Sequence, residues 1–163
     1  MVSQIERLLT EMIDKVLAIG CFKDETGEVI LLSDTLYIKF DSAYLKLEDY
    51  GTGAGLVLSV CKELDFEWIF EDTKPAHVDI SNFVFEDSFV DCSVSSMVLY
   101  NVVEEEGSIR SDVLQLELDT GQTLFIDPCY LDGLNIGGRS KCEKWLGQFS
   151  DKDQPEVLRI VIH

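Results

Sequence analysis

Two stretches of strict period-two alternation constrain this chain most. Leu36, Ile38 and Phe40 alternate with Tyr37 and Lys39, and Leu114, Leu116 and Leu118 alternate with Gln115 and Glu117. A strand puts successive side chains on opposite faces, so each run buries one face and wets the other. Asp41-Ser42-Ala43 follows the first run, before Leu45 and Leu47. Asp119-Thr120-Gly121-Gln122 follows the second, before Leu124 and Ile126. Turn residues between alternating runs predict two antiparallel hairpins. Asp34-Thr-Leu-Tyr-Ile-Lys-Phe-Asp-Ser can be laid on Asp112-Val-Leu-Gln-Leu-Glu-Leu-Asp-Thr, at an offset of 112 minus 34, or 78 residues. That is near half the chain, and it suggests two related halves, roughly 1–80 and 81–163, within a single domain spanning 1–163.

The remaining segments are read by the same rules. Ser3 and Glu6 have capping-box spacing, and Ile5, Leu8, Leu9, Met12, Ile13, Val16 and Leu17 form one apolar stripe that ends before Gly20. This predicts an amphipathic helix over about 3–19. Further strands are expected at Glu28–Ser33, Leu56–Val60 (continuing toward Trp68-Ile69-Phe70), Val78–Phe85, Ser88–Leu99, Val102-Val103 and Val157–Ile162. Gly51, Gly53 and Gly55 break the chain between strands. Ser140 and Glu143 begin a short helix whose apolar face is Cys142, Trp145, Leu146 and Phe149. The expected class is α+β: an N-terminal amphipathic helix on a mostly antiparallel sheet of about eight strands, with a short C-terminal helix and a final strand.

Chemical signatures are sparse. The five cysteines (Cys21, Cys61, Cys92, Cys129, Cys142) are odd in number and form no C-x-x-C pair, so free thiols are expected rather than disulfides or zinc ligands. The two histidines are His77, in a Lys74-Pro75-Ala76 loop, and the terminal His163, and no nucleophile is marked beside either. Glycosidase-type carboxylate pairs are uninformative among 31 acids. The aromatic residues Trp68, Phe70, Phe83 and Phe85 read as core. The glycines at 51–55 lack the Lys-Ser/Thr of a phosphate loop. Gly137-Gly138-Arg139-Ser140 is a better anion site on paper, but a tight turn before a helix explains both glycines. No stretch has calcium-loop spacing. The reading is a protein without cofactor or metal and not an enzyme.

Charge is the informative property. The net charge is −18, from 31 acidic and 13 basic residues. Such a chain repels nucleic acid and anionic membranes and attracts basic proteins. The charge is concentrated. Between Glu63 and Glu106 stand Glu63, Asp65, Glu67, Glu71, Asp72, Asp79, Glu86, Asp87, Asp91, Glu104, Glu105 and Glu106, against the single base Lys74. After Gly138 the bases Arg139, Lys141, Lys144, Lys152 and Arg159 slightly outnumber the acids. Concentrated like charge costs stability through self-repulsion, so it points to use. The expected partner-binding residues are Asp65, Glu67, Glu71, Asp72, Glu86, Asp87, Asp91, Glu104, Glu105 and Glu106. Charges interrupt the first apolar stretch, Met-Val-Ser-Gln-Ile-Glu-Arg, and no run reaches the ~18 apolar residues of a membrane helix. A soluble, cytoplasmic protein is expected.

Small size, strong acidity, unpaired cysteines and the hairpin Leu114-Gln-Leu-Glu-Leu-Asp-Thr-Gly-Gln-Thr-Leu-Phe-Ile-Asp-Pro128 together resemble the immunity proteins of bacterial polymorphic-toxin systems. The likeness lies in general character plus residues 112–138. It implies a protein that binds and blocks a toxin domain, often a basic nuclease, and it carries over no functional residue. The alternative is a small-molecule-binding or enzymatic β-rich domain that uses a cleft between the two halves.

Overall fold

The structure, a computed structural model, describes residues 1–51, 53–64, 77–87, 91–129 and 133–163. The chain begins with helix α1 (Val2–Leu9) and continues through β1 (Met12–Ala18), β2 (Cys21–Lys23), β3 (Val29–Leu31), β4 (Thr35–Phe40), β5 (Tyr44–Asp49) and β6 (Leu56–Cys61). The second part holds β7 (Val78–Asp79), α2 (Ser81–Val84), β8 (Cys92–Tyr100), β9 (Val103–Glu105), β10 (Ser108–Ser111), β11 (Leu114–Leu118), β12 (Thr123–Cys129) and β13 (Gly133–Gly137). Helix α3 (Arg139–Leu146) and β14 (Val157–Val161) close it.

Mostly antiparallel sheet with short helices is the outcome, but sheet dominates more than the sequence reading held. Fourteen strands occur among the described residues, where about eight were expected. The helix expected over 3–19 is corrected: α1 stops at Leu9, and Met12–Ala18 is a strand. The apolar stripe at Ile13, Val16 and Leu17 suits either period over so short a span. Partners decide it, because β1 lies between β4 on one side and β7 and β8 on the other. The Ser3 capping bond is absent too; Met1 is the N-cap, with no side-chain cap. Val78–Phe85, expected as one strand, is the short β7 followed by α2, where Asp79 accepts the Ser81 amide and hydroxyl at 2.9 and 2.5 Å. Helix α3 likewise begins at Gly138 without a side-chain cap. Both expected hairpins form, as β4–β5 and β11–β12. The strand expected at 68–70 lies outside the described residues.

Strand order runs β2-β3-β13-β12-β11-β8-β1-β4-β5-β6-β10-β9, with β14 on β8 and β7 on β1. The order reads alike from either end. The pair β8 and β1 is central; β11-β12-β13 flank it as β4-β5-β6 do; β3-β2 cap one side as β10-β9 cap the other. β14 beside β8 matches β7 beside β1. The β2–β3 hairpin extends the strands of the second part through β13, and the β9–β10 hairpin extends those of the first through β6. A local detail repeats at the 78-residue offset of the sequence. A Cβ on Gly133 would lie 2.5 Å from the Ser33 carbonyl oxygen, and one on Gly55 would lie 3.0 Å from that of Ser111. Both glycines have positive φ, 79° and 157°, so these close crossings favour glycine twice over.

The two arms of the sheet face each other. β13 approaches β4 and β5 across the interior. The inward residues (Leu36, Ile38, Phe40, Leu45 and Leu47 from one arm; Met97, Leu99, Leu114, Leu116 and Ile126 from the other) form one buried cluster. Ile5, Leu8 and Leu9 of α1 enter the same cluster while Ser3, Gln4, Glu6 and Arg7 stay exposed, so this helix closes the core with one apolar face. Helix α3 covers the opposite face of β8, β11 and β12, where Val98, Tyr100, Val113, Phe125 and Cys142 make a second, smaller cluster with Trp145 and Leu146.

Candidate functional site

Connections in an antiparallel sheet alternate between its two ends, and register shows which acids share an end. Ile13 stands opposite Phe40 and Cys92, Tyr44 opposite Cys61, and Leu118 opposite Val94. The β4–β5 turn with Asp41, the stretch after β6 with Glu63, the approach to β8 with Asp91, and the β11–β12 turn with Asp119 therefore fall at one end. β10 pairs with β6 so that Ile109 meets Leu58, which carries the β9–β10 turn and Glu106 toward the same end. The Glu86 amide donates to Gln122 Oε1 in the β11–β12 turn at 3.0 Å, so Glu86 and Asp87 belong there as well.

Six of the ten expected partner-binding acids are thus placed: Glu86, Asp87, Asp91, Glu104, Glu105 and Glu106, all exposed. They form two groups. Glu86, Asp87 and Asp91 border β8 and β12. Glu104, Glu105 and Glu106 lie on the outermost strand pair, with β1, β4, β5 and β6 between the groups. Glu105 is partly neutralised by Arg110, at 2.6 Å, whose guanidinium lies 4.5 Å from the centre of the Tyr50 ring. Asp65, Glu67, Glu71 and Asp72 lie outside the described residues. Two further acids at this end are fixed by hydrogen bonds. Glu11 receives the Ser42 hydroxyl and amide at 2.5 and 2.7 Å, which holds its carboxyl below the usual range. Asp119 receives the Ser93 amide and hydroxyl at 3.1 and 3.0 Å.

A cleft of about 420 Å³ opens between the halves. The β2–β3 hairpin (Lys23, Glu28) forms one wall, and Phe83, Gln122, Lys141 and Lys144 of the second half face it. Its central cation is tied down. Lys141 Nζ lies 2.6 Å from Glu28 Oε2 and 3.0 Å from Asp127 Oδ1. Burial would lower the Lys141 pKa, but the Glu28 hydrogen bond and the two carboxylates outweigh it and raise it. Burial pushes the Asp127 carboxyl up despite Lys141. This clasp joins α3 to β12 and to the β2–β3 hairpin, beside the pairing of β3 with β13. Gly137 leaves room for it, since a Cβ there would lie 2.6 Å from the Lys141 side chain.

On the outer face, Trp145 stands edge-on to Tyr100 (centroids 5.0 Å apart) and to Phe149 (4.8 Å). Tyr100 donates its hydroxyl to Gln115 Oε1 at 3.0 Å. Burial first, then neighbouring Cys142, push that hydroxyl up to about 12. His77 packs edge-on to Tyr37 at 5.2 Å and burial lowers its pKa. Gly51 and Gly53 take positive φ in the β5–β6 turn, the strand connection expected of them. None of the five cysteines is in a disulfide; burial raises the thiols of Cys21, Cys142 and Cys92, the last to about 11.

Among the described residues no group of three or more histidine, cysteine, aspartate or glutamate side chains is gathered to hold a metal, and no helix is long and apolar enough to cross a membrane. A cleft between the halves was expected as the alternative, but its residues and the Trp145 cluster were not legible: Lys141 is 113 residues from Glu28, and Trp145 and Phe149 show only as one face of a short helix. No family model, curated protein or solved structure matches this chain.

Proposed function

We propose that this chain is an acidic binding protein that captures a basic protein partner and blocks it, as an immunity protein does a toxin or nuclease. The supporting observation is that exposed acids distant in sequence, Asp41, Glu86, Asp91 and Asp119 from loops and turns and Glu104 and Glu106 from the outermost strand pair, lie toward one end of the sheet. Antiparallel connections alternate, so acids remote in sequence are brought to the same end. Such a face attracts a basic surface over long range and speeds encounter, while short-range contacts set affinity. It would cover the lysines and arginines with which a nuclease grips its substrate.

Pull-down from the source cell with mass spectrometry identifies the partner, and stopped-flow association then tests the face. The variant Glu86→Lys, Asp91→Lys, Glu104→Lys spares Glu105, which Arg110 holds. It should slow association, and the penalty should shrink as salt rises, because the screening length falls to about 8 Å at physiological ionic strength. An association rate indifferent to both the substitutions and the salt refutes the reading. A second reading, a small-molecule-binding or enzymatic domain, is favoured by the cleft between the halves, whose volume falls in the range of ~300–1,000 Å³ typical of ligand sites. Saturable binding from a metabolite library, abolished by Lys141→Met, would support it.

A further inference from the structure

At the end of the molecule away from the acidic turns, a groove of about 280 Å³ runs between the β5–β6 turn and helix α3. Trp145, Phe149, Val113 and Pro128 supply its apolar walls, and Asp112 and Asp127 its polar ones; none of its described lining residues is basic. The two rings meet at 69°, so they form adjoining walls rather than a closed stack. Each carboxylate is held in place. Asp112 Oδ2 accepts the Asn101 amide at 2.6 Å, and Asp127 Oδ1 faces Lys141 at 3.0 Å. A carboxylate has about four acceptor positions, so one such contact leaves capacity for another donor.

We propose that this groove holds an arginine side chain presented by a polypeptide. The inference is independent of the acidic-end reading, since it uses different residues at the other end of the sheet. The chemistry selects the ligand. Aromatic faces attract a cation, and most favourably one that is planar and weakly hydrated. A carboxylate beside the rings supplies the directional partner that a guanidinium fork satisfies better than an ammonium. A neutral group would gain nothing from the negative charge of Asp112 and Asp127 beside the rings, and an anionic group would be repelled by it. The methylene stem of arginine suits Val113 and Pro128.

The test is a titration of the unaltered protein with three blocked tripeptides, acetyl-Gly-Arg-Gly-amide and its citrulline and lysine counterparts. The readout is the indole N–H of Trp145 in a ¹H–¹⁵N correlation spectrum, told from that of Trp68 by Trp145→Phe. The arginine peptide should move this signal saturably. Citrulline, the same shape without charge, should bind at least about tenfold more weakly, because its hydrogen bonds lose their charge assistance. Asp112→Asn and Asp127→Asn should each weaken the arginine peptide about tenfold, and Glu104→Lys should leave it unchanged. Because the peptide comparison needs no variant, it decides even where an Asp→Asn protein misfolds. No saturable shift, an equal response to citrulline, or an equal response to lysine overturns the proposal. The last would mean only general attraction to a chain of net charge −18.

Discussion

Ser111 marks where the chain leaves β10 for β11, and replacing it with alanine tests how the two arms of the sheet are joined. Its hydroxyl oxygen accepts the Tyr100 amide at 2.9 Å and lies 3.0 Å from the Tyr100 carbonyl and 2.7 Å from that of Val113. The residue is 3% exposed. Ser111→Ala removes the acceptor and leaves the Tyr100 N–H buried without a partner. The Tyr100 carbonyl suffers less, because it also accepts the Asp112 amide at 2.9 Å. An orphaned buried donor costs about 1–3 kcal/mol. At about 2–4 °C per kcal/mol for a chain of this size, the melting temperature should fall by roughly 2–12 °C. Ser33 is the internal control. It occupies the matching place in the first half, and its hydroxyl lies 3.1 Å from the Thr35 carbonyl as Ser111's lies near that of Val113. Ser33 is more exposed, and water can replace its bond, so Ser33→Ala should stay within about 0.5–1 kcal/mol. Urea unfolding followed by fluorescence and circular dichroism gives both values, with equal slopes if only the native state changes. A loss below about 0.5 kcal/mol for Ser111→Ala, or equal losses at the two sites, refutes the reasoning.

Four further outcomes follow from the packing. Leu9→Ala, in the helix that closes the core and at 0% exposure, should cost about 2–5 kcal/mol by thermal unfolding; an unchanged melting temperature would make α1 peripheral. The Tyr100 hydroxyl, raised to about 12, should stay neutral where free tyrosine ionises, so absorbance at 295 nm should show a late-titrating component that Tyr100→Phe removes. The sign follows: its contribution to stability is complete below pH ~10 and is lost as pH rises through about 12. Cys92, with its thiol raised to about 11, should resist a disulfide reagent at pH 8 in the native state, while five groups react in denaturant; fewer than four would overturn the free-thiol assignment. Fragments 1–79 and 80–163 should each fail to fold alone and recover the native spectrum when mixed, because β3 needs β13 and β6 needs β10; an independently folded 1–79 would contradict the exchange of hairpins.

Much of the local structure could be read from residues alone. Leu36-x-Ile38-x-Phe40 and Leu114-x-Leu116-x-Leu118 are hairpin strands because period two admits no other way to bury one face, and the glycines of 51–55 are a turn because positive φ suits them. The net charge of −18 belongs to the sequence whatever the fold. The 78-residue offset between Asp34 and Asp112 belongs to the sequence, whereas the symmetry of the strand order about β8 and β1 appears only in the fold. What tertiary structure decided rests on contacts remote along the chain. Ile13, Val16 and Leu17 fit a helix as well as a strand over seven residues, and β4 and β8, absent from any local window, chose the strand. The acids of 86–106 share an end with Asp41 and Asp119 because antiparallel register alternates the turns. Asp112 and Trp145 line one groove because α3 folds back over β11 and β12. Alternation is a property of neighbours in sequence, so it survives in the sequence. Which end a turn occupies, and what lies across a groove, depend on the pairing of strands far apart along the chain, and no local pattern encodes that.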